Sequence, residues 1–276
     1  MLLTFSTLGC PTWDLQTIVE RGRRLGFDGV DFRGIGDDLD ITVLPAFTTG
    51  LAATRALLGD AGLRVSCISS SLSLCEPQKL EANLEEARRT IPIALELGCG
   101  CVRVFGNGDV EHQAREALAD CGRQCMEQVL RLDGAARLRW IFETHDHWVR
   151  GADCRLLLER IPDPAFGVLW DMGHTTRVGG ESPEQTHRAV AGRIYYTHVK
   201  DAVYEPQHPR AMRDGWRYVP PGQGELPLRE SLALLRDVGY DGWVMFEHEK
   251  RWHPELEEPE DAFPLFLQWV RPLVGR

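Results

Sequence analysis

The chain has 276 residues, with 31 Lys and Arg against 41 Asp and Glu and a formal charge of −10. Affinity for a phosphate backbone rests on clustered positive charge, so this balance excludes a basic nucleic-acid binder. Fractions of 43% hydrophobic and 26% charged residues belong to a folded globular protein and exclude a disordered one. No uncharged apolar run reaches the ~18 residues of a membrane span. The opening MLLTFSTLGCPTWDL has no basic stretch followed by a long apolar core, so no secretory signal is expected and a cytoplasmic location is. The eight cysteines are scattered and lack zinc-site spacing, which reads as structural thiols in a reduced compartment.

From the first residues onward, short β-branched or aromatic runs alternate with amphipathic stretches of helical spacing. The pattern predicts a strand over Leu2–Thr7, a helix over Asp14–Leu25, a strand over Gly29–Arg33 and a helix over Leu51–Ala61. Next come strand Arg64–Ser69, helix Lys79–Leu97, strand Cys101–Phe105 and helix His112–Leu132. The second half continues with strand Trp140–Thr144, helix Ala152–Arg160, strand Gly167–Asp171 and helix Ser182–Ala191. Strand Ile194–Val199, helix Pro227–Val238, strand Trp243–Glu247 and a last helix near Pro259–Val270 complete the series. Gly26, Gly62, Gly98 and Gly239 each suit a helix C-cap that leads into the next strand. Eight strand–helix units without a Pro- or Gly-rich linker predict a single (β/α)8 barrel domain over residues 1–276. A doubly wound open sheet ranks second, because no Gly-x-Gly-x-x-Gly loop follows the first strand.

Chemistry in such a barrel gathers at the C-terminal strand ends. Four consecutive strands close on Glu143, Asp171, His198 and Glu247. Side chains alternate at period two, so these four converge near the axis if their strands share a phase. A single acidic residue at a strand end is commonly a loop cap; four in succession point to a divalent ion, which relieves the repulsion among three carboxylates. Oxygen donors with one imidazole suit Mn2+ first, with Mg2+ or Co2+ as alternatives, over a tetrahedral structural zinc.

Glu143, the WDMGH segment with Asp171 and His174, HVKD with His198, PGQGELPL at 221–228 and GYDGWVMFEHE at 239–249 resemble the sugar phosphate isomerase/epimerase superfamily of xylose-isomerase-like barrels. STLGCP near the start and GFDGVDFRG at 26–34 add to the resemblance, which spans nearly the whole chain. It implies that Glu143, Asp171, His198 and Glu247 hold one divalent ion, and that Glu143 and Glu247 are also the catalytic acid and base. His174 is implied to hydrogen-bond a substrate hydroxyl or carbonyl.

Further substrate-binding candidates follow from position. Lys200 and His145 stand two residues beyond His198 and Glu143, as Glu249 does beyond Glu247, on the same strand faces. Lys200 is equally suited to an ion pair with a carboxylate. Arg33 and Arg103 are strand-borne guanidinium groups that need an acid or a ligand anion, Asp31 being one candidate partner. The long polar loop Asp201–Glu225 carries Arg210, Arg213 and Arg217 and reads as a lid or substrate wall, with a solvated charged loop as the plainer reading. Trp13, Trp252 and His253 are candidates for an apolar wall, a role that core packing explains equally well for the tryptophans.

The expected activity is isomerisation or epimerisation of a sugar, ketose or polyol by proton transfer next to a carbonyl. Dehydration of an inosose or dehydroshikimate-like substrate is the close alternative, since the same enediolate can expel a β-hydroxyl. An apurinic endonuclease-like phosphodiesterase and a non-catalytic ligand-binding barrel rank behind both. Expected partners are a small sugar or polyol, with no nucleic acid and no membrane; a homo-oligomer is compatible with the sequence.

Overall fold

The computed structural model describes residues 1–275. Its strands are β1 (Leu2–Ser6), β2 (Gly29–Phe32), β3 (Arg64–Ser73), β4 (Cys101–Phe105), β5 (Arg139–Glu143), β6 (Phe166–Asp171), β7 (Ile194–Val199), β8 (Asp201–Tyr204), β9 (Trp216–Val219) and β10 (Trp243–Phe246). Eight of them close into a barrel in the order β1-β10-β7-β6-β5-β4-β3-β2, while β8 and β9 form a separate two-stranded sheet. All barrel pairs are parallel, with β1 meeting both β2 and β10. The molecule is a single (β/α)8 TIM barrel.

The helices are α1 (Leu15–Leu25), α2 (Leu51–Ala61), α3 (Leu80–Glu96), α4 (Arg115–Leu130), α5 (Gly151–Arg160), α6 (Met172–Arg177), α7 (Pro183–Val190), α8 (Leu228–Asp237) and α9 (Pro259–Val270). Asp14 caps α1 by accepting from the Thr17 amide, and Gly26 ends it at φ 89°, a left-handed turn that a side chain would strain. Gly62 ends α2 in the same way at φ 64°. None of the described helices is long and apolar enough to cross a membrane.

Period-two alternation divides the strand side chains between two cores. Those facing outward, such as Phe5, Phe32, Val104, Phe142, Trp170 and Phe246, join the large core between barrel and helices. Those facing inward form a small separate cluster of Cys67, Cys101, Ile141, Leu169, Tyr196 and Met245. This cluster plugs the barrel and is the floor on which the next inward layer stands.

Three features depart from the sequence reading. Strand β3 runs on to Ser73, past a register shift between Ser69 and Ser73; its serine-rich end carries little apolar signal, and its Ser71 amide is met by Glu86 of α3 at 2.7 Å. The loop after β7 contains an antiparallel hairpin, pairing Asp201 with Val219 and Tyr204 with Trp216. A short helix, α6, starts directly at Asp171, whose side chain caps it.

Candidate metal centre

Stepping two residues along each inward-facing position of the floor gives 69, 103, 143, 171, 198 and 247, which are Ser69, Arg103, Glu143, Asp171, His198 and Glu247. The strand pleat therefore brings the four predicted ligands into one layer. All four are buried, and each offers one ligand atom within 4.8 Å of the others. His198 Nδ1 lies 3.2 Å from Glu143 Oε1, 3.2 Å from Glu247 Oε1 and 3.9 Å from Asp171 Oδ2.

These atoms crowd together without bonding one another well. Both ring nitrogens of His198 are buried with no hydrogen-bond partner of acceptable geometry. Orphaned buried polar atoms are rare in folded proteins and call for an explanation. Three carboxylate oxygens and one imidazole nitrogen converging on a point are the donor set of a divalent cation, so the residues fit such an ion. Charge agrees with geometry. Burial opposes the protonated imidazole of His198, yet the Glu247 and Glu143 charges outweigh it and hold the group up at about 10. Burial and the Glu247 charge push Glu143 up, but the His198 and Arg103 charges prevail and keep it well below the usual carboxylate range. Burial raises Asp171 to about 6 despite the Lys200 ammonium beside it.

The side chains around the quartet fix its outer oxygens. Arg103 Nη1 donates to Glu143 Oε2 at 3.2 Å. Lys200, buried at the end of β7, donates to Glu247 Oε2 and to Glu249 Oε1 at 3.0 Å, and its Nζ lies 2.9 Å from Asp171 Oδ2. His174 is held by its amide on Asp171 Oδ1 at 2.7 Å and by Nδ1 against the Thr144 carbonyl at 3.2 Å. Burial, then the Lys200 and His145 charges, keep it well below the ordinary imidazole range. A neutral ring with Nδ1–H on Thr144 leaves Nε2 as an acceptor. His145 packs edge-on against His174 with centroids 4.7 Å apart, and its Nδ1 lies 2.8 Å from Asp146 Oδ2. Together with Glu143 the two histidines form a second set of close ligand atoms.

Of the other sequence candidates, Arg33 stands at the end of β2 and donates from Nη1 to the Ser69 carbonyl at 3.3 Å and to Ser71 Oγ at 2.9 Å. Arg217 lies in β9 and gives Nε and Nη2 to Glu205 Oε2 at 2.8 and 2.6 Å; none of its hydrogen bonds or ion pairs reaches the quartet. Trp13 packs in the core against Phe263, whereas Trp252 is exposed. The eight cysteines are all unpaired and none belongs to a close metal-binding set among the described residues. Tyr218 was not singled out from the sequence. Its ring centroid lies 6.0 Å from Lys200 Nζ, and Arg177 of α6 reaches its hydroxyl at 3.5 Å while pairing with Asp214. Only the hairpin register could have found it, because Tyr218 is placed by its pairing with Ala202.

Comparison with known proteins agrees with this architecture. An inosose dehydratase of Klebsiella pneumoniae is 28% identical over 145 residues, covering 48% of this chain and 48% of that protein. A 3-dehydroshikimate dehydratase of Pseudomonas putida is 25% identical over 234 residues, covering 80% of this chain and 34% of that protein. The chain thus spans about half the length, or less, of these curated relatives. The crystal structure of a D-psicose 3-epimerase in the presence of D-fructose superposes with a TM-score of 0.77 at 14% identity, covering 100% of both chains. The xylose isomerase-like TIM barrel family matches residues 19–273, and the chain belongs to that family.

Proposed function

We propose that this chain is a divalent-metal-dependent enzyme that enolises a polyhydroxylated ketone, with loss of a β-hydroxyl as water as its outcome. The observation that carries the reading is the pair Glu143 and Glu247, both 3.2 Å from His198 Nδ1 and both with a second oxygen held by a buried cation. Glu143, Asp171, His198 and Glu247 would hold the ion, Mn2+ before Mg2+ or Co2+, which when bound supplies Lewis-acid stabilisation of negative charge on substrate oxygens.

The protein side of the reaction follows from geometry. Arg103 and Lys200 hold Glu143 and Glu247 as oriented carboxylates, so either accepts a proton from the carbon beside the substrate carbonyl. His174 Nε2 accepts a hydrogen bond from a substrate hydroxyl, and His145 beside it extends the same wall. In dehydration the abstracted proton goes to the departing β-hydroxyl, the carbon–oxygen bond breaks, and water leaves. The dehydratase names of both curated relatives support this outcome. Epimerisation is the second reading, supported by the equivalent placement of the two glutamates, since a second acid is what returns a proton to the opposite face.

The test is to load the purified protein with Mn2+, Mg2+ or Co2+ and offer inososes, 3-dehydroshikimate and free ketoses in D2O. A dehydrated product with absorbance from a new conjugated double bond is expected. Deuterium incorporated into recovered or epimerised substrate would establish the second reading instead. A protein that neither exchanges nor eliminates with any of these ketones is not an enolising enzyme.

A further inference from the structure

Two arginines beside the quartet, Arg33 and Arg103, keep N–H groups that the quartet does not use. Both sit in its layer: positions 33 and 103 stand one pleat above Asp31 and Cys101, as Glu143 stands above Ile141. Arg103 is 4% exposed, with its guanidinium carbon 3.9 Å from the Phe105 ring centroid. Its Nη1 goes to Glu143, but its Nε is buried with no hydrogen-bond partner. Arg33 spends Nη1 on the carbonyl of Ser69, and Ser69 is the residue paired with Arg103 across β3 and β4. The two cations therefore border the same strand position.

Arg103 has one acid partner, Glu143, which already belongs to the quartet, and Arg33 has none of its own. Arg33 makes no ion pair among the described residues. Asp31 accepts from Ser69 Oγ at 2.8 Å and from the Tyr196 hydroxyl at 3.4 Å, and Glu86 is engaged by the Ser71 amide at 2.7 Å. Burial, and then the charge of Arg103, pull Arg33 down to about 10. A buried N–H with no acceptor and a guanidinium with no counter-ion are both costly unless a ligand completes them.

We propose that Arg33 and Arg103 form a subsite for a carboxylate of the substrate, so that the chain acts on a carboxylated polyhydroxy-ketone in preference to a neutral sugar. The proposal rests on the enolisation reading and deepens it. A planar carboxylate matches the few unused N–H groups of two guanidinium forks. A phosphate dianion calls for a denser donor set, and Arg217, which the sequence placed in a candidate lid or substrate wall, is committed to Glu205.

Binding separates this proposal from the reaction itself. Shikimate has the carboxylate but no ketone, so it binds without turnover. Calorimetry on the metal-loaded protein compares shikimate, shikimate methyl ester, myo-inositol and inorganic phosphate. Shikimate should bind about tenfold or more tightly than its ester, the scale of one charge-assisted contact. Arg33→Ala should bring acid and ester to within about threefold of each other, and Arg33→Lys should restore part of the difference. Melting curves alongside verify that each variant is folded. Equal binding of acid and ester, no measurable binding of shikimate at millimolar concentration, an unchanged ratio in a folded Arg33→Ala, or phosphate binding more tightly than shikimate would each overturn the carboxylate subsite. Failure of isotope exchange and elimination with an intact acid-to-ester ratio would defeat the enolisation reading alone.

Discussion

At the scale of single residues, the site gives each glutamate two different neighbours. One oxygen of Glu143 and of Glu247 faces His198, and the other is fixed by Arg103 or Lys200. Replacing either glutamate by Gln keeps its shape but removes the carboxylate that the proposed reaction uses as proton acceptor, so Glu143→Gln and Glu247→Gln should each lower turnover about 100-fold to 10,000-fold. Metal analysis of the same variants should show less loss of the ion than in Asp171→Ala or His198→Ala. A Gln variant with wild-type rate would remove that glutamate from the proton transfer. Asp31, below the quartet, carries a separate pH effect. Burial pushes it up to about 6 against the His198 charge and the Ser69 hydrogen bond, from an ordinary value of 3.8. Between those values the folded chain holds a proton that the unfolded chain has lost, so this group's contribution makes stability fall as pH rises. Asp31→Asn should remove up to one proton from the linkage, about 1.4 kcal/mol per pH unit in that window. Urea unfolding of the ion-free protein at several values from pH 4 to pH 6.5 measures it, and parallel curves for wild type and variant would refute it.

The elements differ in how much of them the sequence reveals, and the reason is the range of the contacts that make them. Barrel strands are legible because each carries its own alternation of inward and outward side chains, and their ends carry Glu143, Asp171, His198 and Glu247 at the expected positions. The β8–β9 hairpin is not, because its partners are twelve or more residues apart within a polar segment and its register is set by tertiary contacts. For the same reason Arg217 reads from sequence as a free cation over the mouth, whereas its partner Glu205 becomes visible only once the hairpin is formed. The expected loss for Arg217→Ala is therefore small, within about 1 kcal/mol of stability for a partly exposed pair, with kcat/KM changed equally little on phosphorylated and free forms of one substrate. A selective loss on the phosphorylated form would return Arg217 to the substrate. Asp201 is the residue that anchors this element. Its carboxylate accepts from the amides of Ala202, Gly222, Gly224 and Leu226 at 2.8–3.3 Å, pinning the PGQGEL turn to the base of the hairpin. Asp201→Ala leaves those donors unmet and should cost about 1–3 kcal/mol in denaturant unfolding. An unchanged midpoint would show that the turn is held by other contacts.

For the whole molecule, the barrel converts eight separate strand ends into one rigid ring, and the ring forces three carboxylates together whether or not a cation is present. The strands are tied on both sides by parallel ladders and rest on the apolar plug, so the quartet cannot spread to relieve its own repulsion. The unfolded chain has no such concentration of ligands. A divalent ion that binds only the closed ring must therefore stabilise the fold, by RT ln(1 + [M]/Kd), or about 2.7 kcal/mol at a hundredfold excess over Kd. The melting temperature of protein stripped with a chelator should rise by several degrees on adding Mn2+, and the rise should saturate with one ion per chain. Mg2+ and Co2+ should act in the same direction with their own midpoints. Asp171→Ala and His198→Ala should abolish most of the rise, since each removes an inward ligand without disturbing the plug beneath. The same titration on Arg217→Ala should match wild type, which separates a site-specific ion from general screening of a chain with a net charge of −10. If both ligand variants gained as much as wild type, the stabilisation would come from surface binding and the quartet would not be the ion's site.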